Sequence, residues 1–280
     1  MKITKNMLWA VALGLSLAGV QAGEWGNWRG PNHNGSTEEK DLPAKFSKTQ
    51  GVIWSAPMPG PSAATPIVFG DHVFVSSSNP EEQQLMASCH DRKTGALKWK
   101  HVVAHGHNKD NRSNYAAPSP VTDGQMVSFF YGNGALATYT LDGEKLWSKN
   151  IEKEHGQFAY QWTPSSSPLL HDGTLYMQVL QRNTKVRGRG RDNGQSYILG
   201  FDPKTGEQLW KVYRSAKAKA ESLEAYSTPV PFTHGGREEI LISGGDCMTG
   251  HDPKTGREIW RWGTWNPTRI GHWRLVPSPV

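Results

Sequence analysis

The sequence of 280 residues is long enough for one large domain or two ordinary ones, and 36% of it is hydrophobic. Its 30 Gly, 18 Pro and 12 Trp, with only 20% charged residues, exclude a helix bundle, a coiled coil and a disordered chain. Two cysteines exclude a disulfide scaffold or a CxxC zinc module, and a net charge of +6 without a dominant basic run gives no reason to expect a nucleic-acid partner.

The first 22 residues have the pattern of a secretory signal peptide. Lys2 and Lys5 precede a mostly apolar stretch, and Val20 and Ala22 place small residues before the expected cleavage point. The apolar stretch is about 14 residues long, whereas a membrane helix needs about 20. We therefore predict cleavage near Ala22, a periplasmic or secreted protein, and no membrane anchor.

A turn-and-tryptophan pattern recurs along the remaining chain. In each copy a Gly precedes a Trp by four residues, and in three copies an Asp stands four residues before that Gly. The Asp carboxylate can accept backbone N–H groups within the turn, and the Gly supplies a positive φ. The copies comprise Asp91, Gly95 and Trp99; Gly143 and Trp147; Asp202, Gly206 and Trp210; and Asp252, Gly256 and Trp260.

A second pattern, a small residue followed by Pro, alternates with the first at intervals of about 53 residues. Each period reads as four short strands joined by tight turns, which predicts an all-β protein, a β-propeller of four-stranded antiparallel blades. Trp54 precedes the first period as each repeated Trp precedes the next, so residues 23–64 are predicted to be an N-terminal segment containing an isolated outer strand. We predict a partial propeller over residues 65–280, with blades at about 65–103, 118–151, 166–214 and 227–262 and the start of a fifth at 276–280.

The repeated tryptophans are interpreted as wedges between neighbouring blades. A wedge requires a small residue about ten positions earlier, and Cys89 holds that place in the first copy. We therefore expect Cys89 to be a buried core residue without a disulfide to Cys247.

Two groups of residues are candidates for ligand contact. Tyr115, Trp162, Tyr226 and Trp273 lie in the predicted connections between blades, where they would line a stacking or sugar-binding funnel or else only plug the channel. Arg187, Arg189 and Arg191 lie in one loop, which would attract an anion or else remain a solvated loop.

Catalytic and metal-binding patterns are sparse. His105, His107 and Asp110 form a weak candidate for a metal site, because two histidines in a Gly-containing loop lack an evident third ligand. The sequence has no haem-attachment, phosphate-loop, nucleophile-elbow or zinc-protease motif. We therefore assign no catalytic, cofactor-binding or metal-binding residue.

The turn-and-tryptophan pattern resembles the tryptophan-docking motif of the pyrroloquinoline-quinone (PQQ) repeat propellers. The segment from Trp28 to Gly35, with the sequence WRGPNHNG, resembles the start of a secreted branch of PQQ-like repeat proteins. The resemblance implies eight blades in a complete ring, of which about four are present, so the chain is interpreted as an N-terminal half. Such a half-ring is expected to be poorly soluble by itself.

Three functions are compatible with this resemblance. The first is a non-catalytic extracytoplasmic binding or scaffold protein, similar in fold to the propeller subunit of the outer-membrane assembly machinery, with a protein or glycan partner and no cofactor. The second is a fragment of a PQQ-dependent dehydrogenase using PQQ and Ca²⁺, although the chain lacks an adjacent cysteine pair. The third is a secreted carbohydrate-interacting protein. We favour the first.

Overall fold

The computed structural model describes residues 23–263 and 265–280. The predicted signal peptide, residues 1–22, lies outside the described residues. The described chain is almost entirely β, with one short helix α1 and a single 3₁₀ turn at Ala220–Leu223. None of the helices in these residues is long and apolar enough to span a membrane.

Sixteen strands form four successive four-stranded antiparallel sheets, each built from strands that follow one another in the chain. This arrangement confirms the predicted class of antiparallel blades. Blade 1 consists of β1 Ile67–Phe69, β2 His72–Asn79, β3 Gln84–Asp91 and β4 Leu97–His105, and blade 2 of β5 Val121–Thr122, β6 Met126–Phe130, β7 Ala135–Thr140 and β8 Lys145–Asn150, followed by α1 Ile151–His155. Blade 3 consists of β9 Leu169–His171, β10 Thr174–Val179, β11 Tyr197–Phe201 and β12 Gln208–Tyr213. Blade 4 consists of β13 Val230–His234, β14 Arg237–Gly244, β15 Cys247–His251 and β16 Glu258–Trp262.

The hydrophobic core lies between neighbouring blades. Each of three apolar clusters combines side chains from two consecutive sheets, as Phe74 of blade 1 and Phe129 of blade 2 do in one of them. The second and third strands of each blade are mostly buried, whereas the fourth strand is half exposed. Face-to-face packing of successive twisted sheets is the geometry of a β-propeller.

In blades 1, 3 and 4 the Asp–Gly turn closes the third-to-fourth strand connection by local bonds. In blade 1 the Asp91 Oδ1 atom accepts the backbone N–H groups of Lys93 and Thr94 at 3.0 and 2.9 Å, and Gly95 has a φ of 73°. The same bonds form around Asp252 in blade 4, where the Thr255 hydroxyl also donates at 2.7 Å. These bonds span three residues, so the turn forms from its own sequence.

Each docked tryptophan packs its ring on the turn glycine of the next blade. The indole N–H of Trp99 donates to Leu141 O of blade 2 at 2.8 Å, and its ring lies against Gly143. Trp147 repeats the arrangement on blade 3, where it bonds Pro203 O at 2.8 Å and contacts Gly206. The repeated tryptophan therefore holds adjacent sheets together through one hydrogen bond and its contact with the turn glycine.

The N-terminal segment contributes one more docked tryptophan. The Trp54 indole donates to Arg92 O at 2.8 Å and lies on Gly95, although residues 52–57 are not in a strand. Further towards the N-terminus, Trp25 pairs with Val68 of β1 through two backbone bonds of 2.8 and 2.9 Å. Trp25 thus forms an isolated bridge on the free edge of the innermost strand of blade 1.

The small residues before proline form a relay of hydrogen bonds between blades. Each donates its backbone N–H to the side-chain hydroxyl of its counterpart in the next repeat, over distances of 2.7 to 3.1 Å. The chain of bonds runs from Thr65 through Ser119, Ser167 and Thr228 to Ser278. The second sequence pattern therefore fixes the inner ends of the blades to one another.

Candidate functional site

The inner ends of the blades surround a central cavity of about 790 Å³. A slightly larger cleft of about 890 Å³ is lined only by blade 4 and its flanking connections, so the central cavity is the one that all four repeats build. Its lining consists of Trp28, Ala63, Thr65, Arg112, Ser113, Ala117, Ser119, Trp162, Thr163, Ser165, Ser167, Tyr226, Thr228, Arg274, Val276 and Pro277.

Three arginines from different connections surround the indole ring of Trp162. The guanidinium carbons of Arg112, Arg187 and Arg274 lie 5.5, 5.6 and 5.8 Å from the ring centroid. These distances are typical of cation–π contacts. Arg112 and Arg274 line the central cavity, whereas Arg187 lines an adjacent small cavity of about 70 Å³.

Partly buried hydrogen bonds fix the connection that carries Trp162. The Trp162 indole N–H donates to Glu221 Oε1 at 3.1 Å, and Arg274 pairs with the same carboxylate. The following residue, Thr163, donates its backbone N–H and its hydroxyl to Asp110 Oδ2 at 2.5 and 2.7 Å. The ring is therefore oriented by groups from three other connections.

Asp110 has no free acceptor position. Its second oxygen accepts the backbone N–H groups of Arg112 and Ser113 at 2.6 and 2.8 Å. Burial acts to raise the pKa of Asp110, but the bonds from Thr163 and from these backbone groups outweigh it and lower the pKa below its ordinary value. Asp110 is thus an ionised structural carboxylate that also positions Arg112.

A buried carboxylate supports the cavity wall behind Tyr226. Glu224 is fully buried and accepts hydrogen bonds from Arg182 Nε at 2.5 Å, from the Tyr226 hydroxyl at 2.6 Å and from the Gln161 backbone at 3.0 Å. Burial raises the pKa of Glu224, although all three donors act to lower it. Burial likewise raises the pKa of Tyr226, so its hydroxyl remains protonated and donates to Glu224.

The structure brings together two of the four aromatic residues selected from the sequence. Trp162 and Tyr226 line the central cavity, whereas Tyr115 lines the small adjacent cavity. Trp273 is half exposed and lines a separate cleft. A role of all four in ligand contact stays a prediction.

The three loop arginines also have different surroundings. Arg187 contacts Trp162, Arg189 pairs with the Glu152 carboxylate, and Arg191 is exposed. The loop is therefore not a uniform cationic surface.

The histidine candidate for a metal site is not assembled. Among residues 23–263 and 265–280, no group of three or more His, Cys, Asp or Glu side chains is placed to hold a metal ion. Cys89 and Cys247 are both buried free thiols, and burial raises the pKa of Cys89 to about 12. Cys89 lies directly opposite Trp99 in the sheet and is fully buried.

Sequence reasoning missed Trp28, Arg112 and Arg274, which line the cavity. It also gave no ligand role to the hydroxyls before proline. The recurrence of a hydroxyl residue at this place was visible, but nothing local distinguishes Arg112 or Arg274 from other arginines in polar loops.

Part of the chain matches a known protein family. A PQQ-repeat family described as outer membrane protein assembly factor BamB matches residues 36–187, just over half of the chain. The chain belongs to this family. No curated protein matches the sequence.

Solved structures of similar fold include a BamB protein and two alcohol-oxidising dehydrogenases. BamB from Moraxella catarrhalis is 16% identical with a TM-score of 0.49, covering 76% of this chain and 55% of that one. A europium-containing methanol dehydrogenase is 13% identical with a TM-score of 0.52, covering 73% and 42%. The quinohemoprotein alcohol dehydrogenase ADHIIG from Pseudomonas putida HK5 is 14% identical with a TM-score of 0.50, covering 75% and 35%. The chain thus spans between about a third and just over half of the length of these proteins, and the two dehydrogenases support the propeller fold alone.

The central cavity does not fit a quinone centre that depends on calcium. Calcium takes oxygen ligands, chiefly carboxylates. The described residues lining the cavity include no Asp or Glu, and Arg112 and Arg274 contribute positive charge instead. Asp110, beside the small cavity, already accepts four hydrogen bonds. The side chains at this place are thus unsuited to the cation.

Proposed function

We propose that this chain acts as a non-catalytic extracytoplasmic propeller that binds a partner or ligand at the mouth of its central channel. The observation that carries the proposal is the composition of the central cavity, in which arginine, aromatic and hydroxyl side chains converge without a carboxylate among the described lining residues. Such side chains supply hydrogen-bond donors and flat contact surfaces, which serve binding, whereas oxidation of an alcohol also needs a base.

The position outside the cytoplasm is part of the proposal. It is supported by the signal-peptide pattern of the first 22 residues and by membership of a family described as an outer-membrane assembly factor. Fractionation of cells that produce the protein with a C-terminal tag tests it. Recovery with the cytoplasmic fraction at full precursor mass would contradict the proposal.

The absence of catalysis is tested with the cofactor that the dehydrogenases of this fold suggest. The full chain is incubated with PQQ and Ca²⁺, and reduction of an artificial dye is followed with primary alcohols as substrates. We expect no saturable, Ca²⁺-dependent quinone binding and no alcohol-dependent dye reduction. Either signal would overturn the proposal in favour of a dehydrogenase.

A positive test follows tryptophan fluorescence during titration with neutral saccharides, acidic saccharides and peptides. We expect one class to give a saturable change that Trp162→Ala abolishes, and mass spectrometry to recover the ligand unchanged. Chemical conversion of the ligand would contradict a binding role.

A further inference from the structure

Two arginine side chains bring hydrogen-bond donors to the central cavity. Arg112 is exposed and has no carboxylate within 4.0 Å among the described residues, and Arg274 pairs with Glu221 while still lining the cavity. Guanidinium groups donate but cannot accept hydrogen bonds. The cavity is therefore suited to a ligand that carries negative charge.

The hydroxyl relay adds donors along the cavity floor. Ser119, Ser167 and Thr228 each accept a backbone N–H with their oxygen, at 2.9 to 3.1 Å. A hydroxyl carries one proton in addition to its acceptor positions. In the described part of the chain the hydrogen bonds of these three hydroxyls are those that they accept, and all three side chains line the cavity. The floor thus offers a row of O–H donors to an oxygen-rich ligand.

Flat apolar surfaces flank these donors. Trp28, Trp162 and Tyr226 all line the cavity. Aromatic rings provide broad, rigid contact area at low entropic cost. The cavity volume of about 790 Å³ lies in the range of small-ligand sites.

We infer that the central cavity binds an acidic saccharide, a sugar carrying a carboxylate or sulfate group. The acidic group lies against Arg112 and Arg274, the other oxygens meet the hydroxyl row, and the apolar face of a sugar ring contacts the aromatic side chains. This inference rests on the proposed binding function and adds the class of ligand. A nucleotide is also an anionic ligand with a flat ring, so adenosine diphosphate serves as the competing ligand in the test.

The test is isothermal titration of the full chain with defined oligosaccharides. Trigalacturonate presents carboxylates, a heparin-derived tetrasaccharide presents sulfates, and maltotriose is the neutral control. We expect one or both acidic sugars to bind at least about tenfold more tightly than maltotriose, because charge-assisted hydrogen bonds are about twice as strong as neutral ones. The two acidic sugars distinguish carboxylate from sulfate recognition.

Matched arginine variants locate the site. We expect Arg112→Gln and Arg274→Gln each to weaken binding of the acidic sugar by about tenfold or more, with little effect on the affinity for maltotriose. Arg191→Gln removes the same charge from an exposed position outside the cavity and should change affinity less than about twofold. Thermal unfolding curves of the three variants establish that each remains folded. Arg112 has no carboxylate partner in the described part of the chain, whereas Arg274 pairs with Glu221, so Arg112→Gln changes fewer protein contacts than Arg274→Gln.

Several outcomes would overturn the inference. Equal affinity for acidic and neutral sugars, no saccharide binding, tighter binding of adenosine diphosphate, or equal loss in Arg191→Gln would each refute an acidic-sugar site in the cavity. If inorganic sulfate at the same concentration displaced the acidic sugar completely, the cavity would be a simple anion site and the inference of a sugar site would be wrong. All of these leave the proposed non-catalytic role standing, which fails instead if quinone-dependent oxidation is found.

Discussion

Replacement of the turn glycine on which Trp147 packs provides a direct measure of tryptophan docking. Gly206 has a φ of 73°, and a Cβ atom at this position would lie 2.6 Å from Trp147 Cδ2. Gly173 has a similar φ of 69°, but a Cβ atom there would meet nothing within 4 Å. The two positions therefore share the backbone penalty and differ in the contact.

The expected magnitudes follow from this difference. A non-glycine residue in the left-handed region costs about 1–2 kcal/mol, so Gly173→Ala should lower the free energy of unfolding by about that amount. Gly206→Ala adds an overpacking penalty of about 1–3 kcal/mol, since the indole is held by its 2.8 Å bond to Pro203 O. We expect Gly206→Ala to be less stable than Gly173→Ala by that additional amount.

Urea denaturation followed by circular dichroism measures both variants against the unmodified chain. The comparison requires equal m values, which indicate that the same surface is exposed on unfolding. A double-mutant cycle with Trp147→Ala completes the test, because removing the ring relieves the collision and should give a coupling of about 1 kcal/mol or more. Equal stability of the two glycine variants, within about 0.5 kcal/mol, would refute docking as the reason for glycine at position 206.

Three further predictions concern single side chains. Ser167→Ala should lower the free energy of unfolding, measured by urea denaturation, by about 1–3 kcal/mol, because it leaves the buried backbone N–H of Ser119 unpaired. The control Ser165→Ala should change it by less than about 0.5 kcal/mol. Equal effects of the two variants would contradict the relay. The Thr255 hydroxyl lowers the pKa of Asp252, so the carboxylate stabilises the fold above its unfolded pKa of about 4, and this stabilisation is lost as pH falls through the lowered value. Asp252→Asn should therefore reduce the fall in the free energy of unfolding at acid pH. The same dependence of that free energy on pH in both proteins would refute this. In a Cys247→Ala variant, Cys89 should react with a thiol reagent at pH 8 only after unfolding, because burial raises its pKa to about 12; rapid labelling of the native protein would contradict this.

The sequence determined the parts of the fold that rest on short-range chemistry. The bonds from Asp91 and Asp252 to their own turns connect residues two or three positions apart, so the repeated motif predicts the turn wherever it occurs. Strand alternation and the small residue opposite each Trp are similarly local, with Cys89 facing Trp99 across two adjacent strands. The class of fold therefore followed from the repeats.

Even the repeat did not determine every contact. The indole N–H of Trp147 bonds a carbonyl of the next blade, whereas the equivalent N–H of Trp210 is buried and finds no partner among the described residues. The Tyr176 hydroxyl donates instead to the carbonyl of Pro253 in that turn, at 3.2 Å. Only the packing of two blades reveals this exchange, since Tyr176 lies 77 residues from the turn it contacts.

The candidate site was decided by the tertiary structure. Trp162 and Trp273 occupy corresponding connections and looked equivalent in the sequence, yet only Trp162 lies at the central cavity. Arg112 and Arg274 approach the same indole from connections more than 150 residues apart. Local patterns specify how a strand or a turn forms, but a cavity at the centre of successive blades exists only after those blades have packed, and its lining depends on contacts between distant loops.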